Sequence, residues 1–204
     1  MYASGGTTGD AKYTFYSNEE YRNATDVLAF IYREAGIVEQ DIVGNLFVAG
    51  NLWTSFNVAG RALENIGCLQ LPIGGTTSFE NMIKYLETFQ VTALVGLPSI
   101  MVKLAEEVKS RKSSLRISKI LYGGEHLRPA TIAYLKGILG CTIVRSAGYA
   151  CVDTGPIGFQ CAFLPGTLHH VLNDYQIVEI LNTEDVPPNL GDAKKCSDGV
   201  PGEI

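Results

Sequence analysis

A chain of 204 residues in which 46% of the side chains are hydrophobic and 18% are charged can bury a sizeable core, which excludes global disorder. Its net charge of −5 argues against nucleic acid or an anionic membrane as the main partner. Any phosphate group that the protein binds must therefore be held by local geometry rather than by a broad positive field.

Strand and helix patterns alternate from Lys12 to Ser146. Strands are predicted over residues 12–16, 41–49, 68–73, 91–97, 117–123 and 141–146. Helices are predicted over residues 17–36, 54–67, 77–90, 98–112 and 129–140. Such alternation with short connections is typical of an α/β fold with a mostly parallel sheet and helices on both faces.

Several helix ends carry capping signals. Ser17 is followed three residues later by Glu20, which is a capping-box pattern, and Thr77 with Glu80 repeats that pattern. Gly36 predicts the end of the first helix, because glycine readily adopts the left-handed backbone that follows a helix.

The residues after Gly148 lack helical periodicity. Short strands are predicted over residues 158–163, 168–172 and 176–181. The polar, Pro- and Gly-rich segment 182–199 predicts a surface loop. We therefore expect a core over residues 1–146, followed by a short antiparallel β appendage over residues 147–204.

The first motif that indicates chemistry is a Gly/Thr-rich loop near the start of the chain. Its members are Ser4, Gly5, Gly6, Thr7, Thr8, Gly9, Asp10, Ala11 and Lys12. Glycines let a backbone approach a ligand closely, and successive amide groups in such a loop form an anion-binding nest. The loop lacks the ending of a Walker motif and precedes a strand rather than a helix. A Gly-rich hairpin turn is the alternative interpretation.

An acidic motif, YACVDTGP, follows the strand predicted over residues 141–146. Ligands of open parallel sheets bind beyond the carboxyl ends of the strands, so Asp153 is expected on the binding face. There its carboxylate could hold the magnesium ion that accompanies ATP phosphates. The alternative is an aspartate that caps a turn before Gly155 and Pro156.

A third motif, YGGEH, ends the strand predicted over residues 117–123. Paired glycines at Gly123 and Gly124 open a slot in which a flat ring could lie against the backbone, with Glu125 and His126 beside it. An ordinary strand-to-helix turn is the alternative.

The five cysteines show no CxxC pair and no metal-like cluster with the three histidines. This pattern predicts reduced thiols, most of them buried, in a cytoplasmic protein. No signal peptide is recognisable, and the most apolar stretch, residues 91–102, is about half of a membrane span.

Taken together and in this order, the motifs resemble the adenylate-forming superfamily of acyl-CoA synthetases, peptide-synthetase adenylation domains and luciferases. The phosphate loop of that family reads roughly Ser/Thr-Ser/Gly-Gly-Thr-Thr-Gly-x-Pro-Lys, and residues 4–12 match it at most positions, with Ala11 in place of the proline. The chain looks most similar to the phenylacetate–CoA ligase branch. Four segments carry that likeness, namely residues 50–55, 71–79, 155–161 and 168–181.

The acidic motif of the family reads Tyr-Gly-x-Thr-Glu-x-Gly-Pro, and this chain departs from it. Tyr149 and the final Gly-Pro are kept, whereas Ala150 replaces glycine, Val152 replaces threonine and Asp153 stands where glutamate belongs. The valine removes a hydroxyl, and the aspartate shortens the reach to magnesium by one methylene group.

The resemblance implies that ATP, with Mg²⁺, and a carboxylic acid give acyl-AMP and pyrophosphate, after which the acyl group passes to coenzyme A. It implies that Lys12 and Asp153 are catalytic residues and that Asp153 is the metal ligand. The loop that ends at Lys12 would hold the β- and γ-phosphates. Nucleotide contacts would also come from Gly124, Glu125, His126 and Tyr149.

The acyl pocket is expected near Trp53, Phe56, Gly123 and Ala147. Trp53 is the single tryptophan and the best candidate for contact with an aromatic or fatty chain, although plain core packing is the alternative. Because the likeness is to ligases of arylacetic acids, we expect an aromatic or otherwise bulky monocarboxylic acid. An oligomer is left open.

Both ends of the sequence predict a fragment of a larger adenylation domain. The phosphate loop lies almost at residue 1, and Glu203 and Ile204 look like the first residues of a strand. The hinge aspartate and the C-terminal lysine of the family would lie beyond Ile204, so turnover by these residues alone is not expected. Two rival functions remain: acyl transfer to a protein or another non-CoA acceptor, and catalytically silent nucleotide binding.

Overall fold

A computed structural model of the chain describes residues 1–4, 10–164, 166–182 and 194–201. These residues form two compact units, Met1–His170 and Val171–Ile204. None of the described helices has the length and apolar content that a bilayer crossing demands. The domain limits proposed from the sequence, 1–146 and 147–204, stay predictions.

The first unit alternates strands and helices, as the sequence predicts. Its strands are β1 (Tyr2–Ala3), β2 (Tyr13–Thr14), β3 (Ile42–Leu46), β4 (Leu69–Leu71), β5 (Ala93–Gly96), β6 (Lys119–Tyr122), β7 (Ile143–Ser146), β8 (Tyr149–Cys151) and β9 (Gly155–Phe159). Its helices are α1 (Asn18–Ala35), α2 (Ser55–Ile66), α3 (Phe79–Thr88), α4 (Pro98–Ser110) and α5 (Pro129–Leu139). A further short strand, β10 (His170–Val171), begins at the last residue of the unit.

The predicted cap of α1 is confirmed. The Ser17 hydroxyl accepts a hydrogen bond from the Glu20 amide at 3.1 Å, and the Glu20 carboxylate accepts one from the Ser17 amide at 2.7 Å. Gly36 ends the helix with a φ of 117°. These contacts satisfy amide and carbonyl groups that the helix itself leaves unpaired.

The capping box expected at Thr77 is wrong by one residue. The Ser78 hydroxyl caps α3 by accepting a hydrogen bond from the Asn81 amide at 3.4 Å. The Thr77 hydroxyl instead donates to the carbonyl of Ile73 at 2.6 Å, which stabilises the turn between β4 and α3. From the sequence, either Thr77 or Ser78 could cap the helix. In the structure the turn after β4 engages the Thr77 hydroxyl, so Ser78 is the cap.

Five parallel strands form the main sheet in the order β4-β3-β5-β6-β7. Parallel β–α–β connections are right-handed, so α2, which leads outward from β3 to β4, covers one face. Helices α3, α4 and α5 lead in the opposite direction across the sheet and cover the other face. Helix α1 packs against α2, which gives the first face two helices. The expected α/β fold with helices on both faces is confirmed.

One large buried cluster of the core lies between the sheet and helices α3–α5. The central strand β5 is apolar throughout and every one of its residues is buried, as expected for a strand that is covered on both faces. Leu94 and Ile120 of the sheet share one buried cluster with Met82, Met101 and Leu135 of the helices. This packing fixes the ends of the strands, from which the loops of the candidate site emerge.

The amino edge of the sheet holds a buried ion pair. Asp41, which is 5% exposed, accepts a hydrogen bond from Lys119 at 2.7 Å and another from the Thr92 hydroxyl at 2.9 Å. The Val38 amide adds a third at 2.8 Å. These contacts join the starts of β3 and β6 and lie at the edge opposite the loops that follow the strands.

A small antiparallel sheet of order β10-β9-β8 follows the main sheet. The presence of an antiparallel β appendage after the parallel sheet is therefore confirmed. The strand predicted over residues 176–181 is wrong. The second unit has there an isolated bridge between Leu181 and Lys195, with a hydrogen bond from the Cys196 amide to the Ile180 carbonyl at 2.8 Å. Most of the loop predicted over residues 182–199, and the strand predicted at Glu203, lie outside the described residues.

Candidate functional site

A cavity of 410 Å³ lies at the carboxyl edge of the parallel sheet. Phe47 follows β3, Leu97 follows β5, Gly123 follows β6 and Ala147 follows β7, and all four line it. The chain moves outward from β3 to β4 and then returns to β5 on the other side of β3. Open parallel sheets bind their ligands at such a switch point, so the topology marks this cavity as the candidate site.

The cavity wall is mainly apolar and is drawn from distant parts of the first unit. The lining residues are Ala3, Tyr16, Ala24, Leu28, Tyr32, Phe47, Trp53, Thr54, Ser55, Val58, Leu97, Gly123, Gly124, Glu125, Ala147, Gly148, Ala150, Cys151, Val152, Gly155 and Pro156. Complete burial raises the pKa of Tyr32 well above its ordinary value. The phenol, which lies in the last turn of α1, therefore remains neutral. The wall therefore suits an uncharged, bulky group.

The paired-glycine turn between β6 and α5 shapes one side of the cavity. Gly124 has a φ of 79°, and a Cβ atom there would lie 2.9 Å from Cδ2 of Leu97. The Gly123 amide donates to the carbonyl of Gly96 at 3.1 Å, which holds the turn against the end of β5. Both glycines line the cavity.

Glu125 follows the glycines and is held at the start of α4. Its carboxylate accepts hydrogen bonds from the Ser99 amide at 2.9 Å and the Ser99 hydroxyl at 2.7 Å. A carboxylate is favourable there because the first amides of a helix lack partners. His126 is exposed and does not line the cavity.

Trp53 borders the cavity at the end of a strained turn. Gly50, Asn51 and Leu52 have φ angles of 92°, 50° and 59°, and the Trp53 amide donates to the Gly50 carbonyl at 3.0 Å. A left-handed backbone is unfavourable for leucine, so the fold holds this turn in place. The carbonyl of Leu52 accepts a hydrogen bond from the Ala3 amide at 2.9 Å, which links the turn to β1.

Phe56 does not reach the cavity. It lies in a separate depression of 480 Å³ with Tyr2 and Tyr21, whose rings stack 6.1 Å apart. The carbonyl of Phe56 accepts a hydrogen bond from the buried amide of Asn45 at 3.0 Å, which anchors the first turn of α2. The structure thus separates Phe56 from Trp53, although both were expected in one pocket.

The described residues on either side of the Gly/Thr-rich loop pair as the two arms of a β-hairpin. Strands β1 and β2 pair antiparallel, and the amide of Ser4 donates to the Lys12 carbonyl at 2.9 Å. The Lys12 amide donates to the Ser4 hydroxyl at 3.1 Å, and the Lys12 side chain is exposed. Gly5, Gly6, Thr7, Thr8 and Gly9 lie outside the described residues.

The acidic motif contacts this hairpin directly. The Thr14 hydroxyl donates a hydrogen bond to Oδ1 of Asp153, which lies 139 residues further along the chain. The Tyr16 hydroxyl donates to the carbonyl of Val152 at 2.5 Å. The exposed carboxylate of Asp153 is therefore placed beside the strand that leads out of the Gly/Thr-rich loop.

The side chain of Tyr149 lies beside His169, outside the cavity. Its side chain is half exposed, its ring centroid lies 6.3 Å from that of His169, and it does not line the cavity, although Ala150 beside it does. Of the expected nucleotide contacts, the structure brings Gly124 and Glu125 to the cavity and leaves His126 and Tyr149 outside it.

Thr14 and Tyr16 are the residues that sequence analysis missed. Thr14 ends β2 and Tyr16 lies two positions further along the chain, and both side chains reach the acidic motif. Their partners lie 139 and 136 residues away in sequence, so no local pattern identifies them.

No group of three or more metal-ligating side chains occurs among the described residues. A magnesium ion bound with nucleotide commonly takes one or two carboxylates from the protein and its other ligands from phosphates and water. A single exposed carboxylate at Asp153, fixed by Thr14 beside the hairpin, is compatible with that donor set.

No family model matches the chain. Over 202 residues, which are 90% of this chain and 46% of the relative, it is 27% identical to the phenylacetate-coenzyme A ligase of Pseudomonas putida. It is 24% identical over 210 residues to the phenylacetate-coenzyme A ligase of Escherichia coli (strain K12), covering 100% of this chain and 45% of that protein. The chain thus spans slightly less than half the length of these curated relatives.

Solved structures share the fold. An acyl-CoA synthetase from Brucella canis superposes with a TM-score of 0.69 at 18% identity over 98% of this chain and 35% of that chain. A 2-hydroxyisobutyryl-CoA ligase, solved in complex with 2-HIB-AMP and CoA, gives 0.65 at 22% identity over 72% of this chain and 32% of that chain. The likeness to phenylacetate–CoA ligases, inferred from the motifs, is confirmed by the two curated relatives, and the solved acyl-CoA ligase structures share the fold.

Proposed function

We propose that the chain provides the adenylation site of an ATP-dependent acid–thiol ligase. The enzyme would activate a carboxylic acid as its acyl-adenylate, release pyrophosphate and pass the acyl group to coenzyme A. The observation that carries this proposal is the contact between Thr14 and Asp153, which joins the Gly/Thr-rich hairpin to the acidic motif beside the apolar cavity. The two curated relatives are phenylacetate-coenzyme A ligases, and the chain matches them along nearly its whole length.

We assign the triphosphate to the hairpin. Backbone amides and hydroxyl groups between Ser4 and Lys12 would hold the β- and γ-phosphates, and the Lys12 ammonium group would offset their charge. The exposed position of Lys12 leaves its side chain accessible to such a ligand.

We assign Mg²⁺ to Asp153, where the ion would offset charge on the phosphate oxygens. The Thr14 hydroxyl fixes one oxygen of this carboxylate, so the side chain is positioned before any ligand arrives. Adenine would lie against the backbone of Gly123 and Gly124, which faces the cavity.

We assign the acyl group to the apolar cavity between Trp53, Gly123 and Ala147. Phe47 and Tyr16 add aromatic surface to this wall. An aromatic ring that packs against such side chains gains about 0.5–1.5 kcal/mol beyond its area term. An aromatic monocarboxylic acid is therefore the proposed substrate.

This reaction depends on how the protein positions the two reactants, and it forms no covalent bond to the protein. A carboxylate oxygen attacks the α-phosphorus, the new acyl–phosphate bond forms, and the bond to pyrophosphate breaks. The cavity holds the acid in line and excludes water, while Lys12 stabilises charge that develops on the phosphate oxygens. Glu125 holds the paired-glycine turn in place through Ser99 and acts as a positioning residue.

Hydroxamate trapping by the whole protein tests the proposal. Acetate, octanoate, benzoate and phenylacetate are each supplied with ATP, Mg²⁺ and hydroxylamine, and we expect ATP-dependent hydroxamate mainly from the two aromatic acids. A clear preference for acetate would contradict the assignment of the cavity to the acyl group. A preference for octanoate would favour acyl transfer to a protein acceptor.

A nucleotide-binding protein without catalytic activity is the second candidate. It is favoured by Val152, where the superfamily motif has threonine, and by Asp153, where that motif has glutamate. Under this alternative, calorimetry would show ATP binding while hydroxamate formation stayed absent with every acid.

A further inference from the structure

Cys161 and His170 form a close pair outside the cavity. The Sγ atom of Cys161 lies 3.2 Å from Nε2 of His170, and the amide of Phe163 donates to the same sulfur at 3.4 Å. The thiol is partly exposed and the histidine is exposed, so small molecules in solution can reach both. Neither residue lines the cavity, and the site proposed above makes no use of them.

The pair is held by aromatic packing. The imidazole of His170 packs against the ring of Phe159 with centroids 4.8 Å apart, and Phe159 packs edge-on against Phe30 of α1 at 5.3 Å. The position of the imidazole is therefore set by the fold rather than by the thiol alone.

The backbone on the other side of the pair is also anchored. Gln160, which is 4% exposed, accepts a hydrogen bond from the Ser146 amide at 2.9 Å and donates to the Gly166 carbonyl at 2.7 Å. These bonds fix the residue that precedes Cys161. The sulfur is thus presented to His170 by a rigid segment.

The surroundings favour the thiolate. Hydrogen bonds from the Phe163 amide and from His170 lower the pKa of the Cys161 thiol, whereas burial raises the pKa of Cys141 to about 11. His170 is the titratable side chain that acts on the thiol. The adjacent His169 makes its own contact through Nδ1 with the Thr167 carbonyl at 2.8 Å.

We propose that Cys161 is a nucleophilic thiolate that is modified by low-molecular-weight disulfides, with His170 as its proton partner. The Cys161 sulfur attacks one sulfur of the disulfide, a new S–S bond forms to the protein, and the original S–S bond breaks. The proton of the Cys161 thiol passes to His170, and the departing thiolate takes that proton. The disulfide is the oxidant, and the products are a mixed disulfide on Cys161 and one free small thiol.

Site-resolved labelling of the protein tests this proposal, which does not depend on the adenylation activity. Oxidised glutathione is added at pH 6.5 in a buffer without chelator, and mass spectrometry follows the mixed disulfide at each cysteine. We expect Cys161 to react about tenfold faster than the exposed Cys151, because amide donors and the neighbouring histidine raise the thiolate fraction of Cys161. Iodoacetamide, which releases iodide on attack, should give the same ranking.

Variants of the two adjacent histidines separate the proposed role from a general effect. His170→Gln should lower the rate at Cys161 to that of Cys151 and move the rise of its pH–rate curve to higher pH, since the thiolate loses its partner. His169→Gln serves as the matched control and should leave rate and pH profile unchanged, because His169 does not contact the sulfur.

Three results would overturn the proposal. Equal rates at Cys161 and Cys151 would show that the pair does not activate the thiol. An unchanged pH profile in His170→Gln would remove the histidine from the chemistry. Reactivity that emerged only after a chelator was added would identify Cys161 and His170 as metal ligands rather than a free nucleophilic pair.

Discussion

The left-handed backbone at Gly124 makes the paired-glycine turn of the cavity sensitive to a single methyl group. Alanine at a φ of 79° costs about 1–2 kcal/mol, because its Cβ crowds the following carbonyl. The added Cβ would also lie 2.9 Å from Cδ2 of Leu97, but that atom ends a half-buried side chain and can move by a few tenths of an ångström. The backbone effect therefore dominates, and we expect Gly124→Ala to lower the free energy of unfolding by about 1–2 kcal/mol.

Gly137→Ala is the matched control in the neighbouring helix. Gly137 lies within α5, and no atom lies within 4 Å of a Cβ placed there. Alanine favours a helix interior over glycine by about 1 kcal/mol, so this variant should be more stable than the parent. Urea unfolding should move the two midpoints in opposite directions with unchanged slopes. A Gly124→Ala protein as stable as the parent would refute the reasoning about this turn.

Three further predictions concern the site and its support. In calorimetry with ATP, Asp153→Ala should abolish the gain in affinity that Mg²⁺ gives, while Asp153→Glu should retain it; equal behaviour of Asp153→Ala and the parent would leave Asp153 as a turn residue only. Trp53→Ala should lower kcat/KM for the best aromatic acid in the whole protein more than for octanoate, and an equal loss for both would make Trp53 a packing residue. Lys119→Met should cost about 3–5 kcal/mol in urea unfolding, because it leaves the buried carboxylate of Asp41 without its cation; a loss below about 1 kcal/mol would show that water or Thr92 replaces it.

Local signals predicted much of the fold. The Ser17 cap, the glycine at the end of α1 and the alternation of strands and helices each depend on residues close together in the chain, and the structure confirms them. The strand predicted over residues 176–181 shows the limit of such signals. An apolar run forms a strand only where a partner pairs with it, and there the described residues provide one isolated bridge.

The cavity residues that follow the strands could be predicted from the sequence, because a parallel sheet brings the carboxyl ends of all its strands to one edge. Trp53, Gly123 and Ala147 meet at the cavity for that reason. Phe56 could not be placed in the same way, because Trp53 precedes α2 while Phe56 lies in its first turn and faces the depression with Tyr2. Their spacing of three residues therefore does not put them on one helix face.

The cysteines were also misjudged from the sequence. Most were expected to be buried, yet only Cys68 and Cys141 are, and Cys151 is exposed in the acidic motif. Composition alone does not show which side of a turn a small residue occupies. The pairing of Thr14 with Asp153 is a similar case, since a contact across 139 residues has no local signature.

Emission from Trp53 offers the most direct measurement of the central claim. Trp53 is the single tryptophan, it is 37% exposed, and it lines the cavity, so its fluorescence reports on that site alone. Titration with a non-hydrolysable phenylacetyl-adenylate mimic should give a saturable blue shift as the indole leaves water. The cavity-filling variant Ala147→Leu should weaken that response. Calorimetric binding of the mimic without any change in Trp53 emission, or no binding at all, would contradict the assignment of this cavity to an acyl-adenylate.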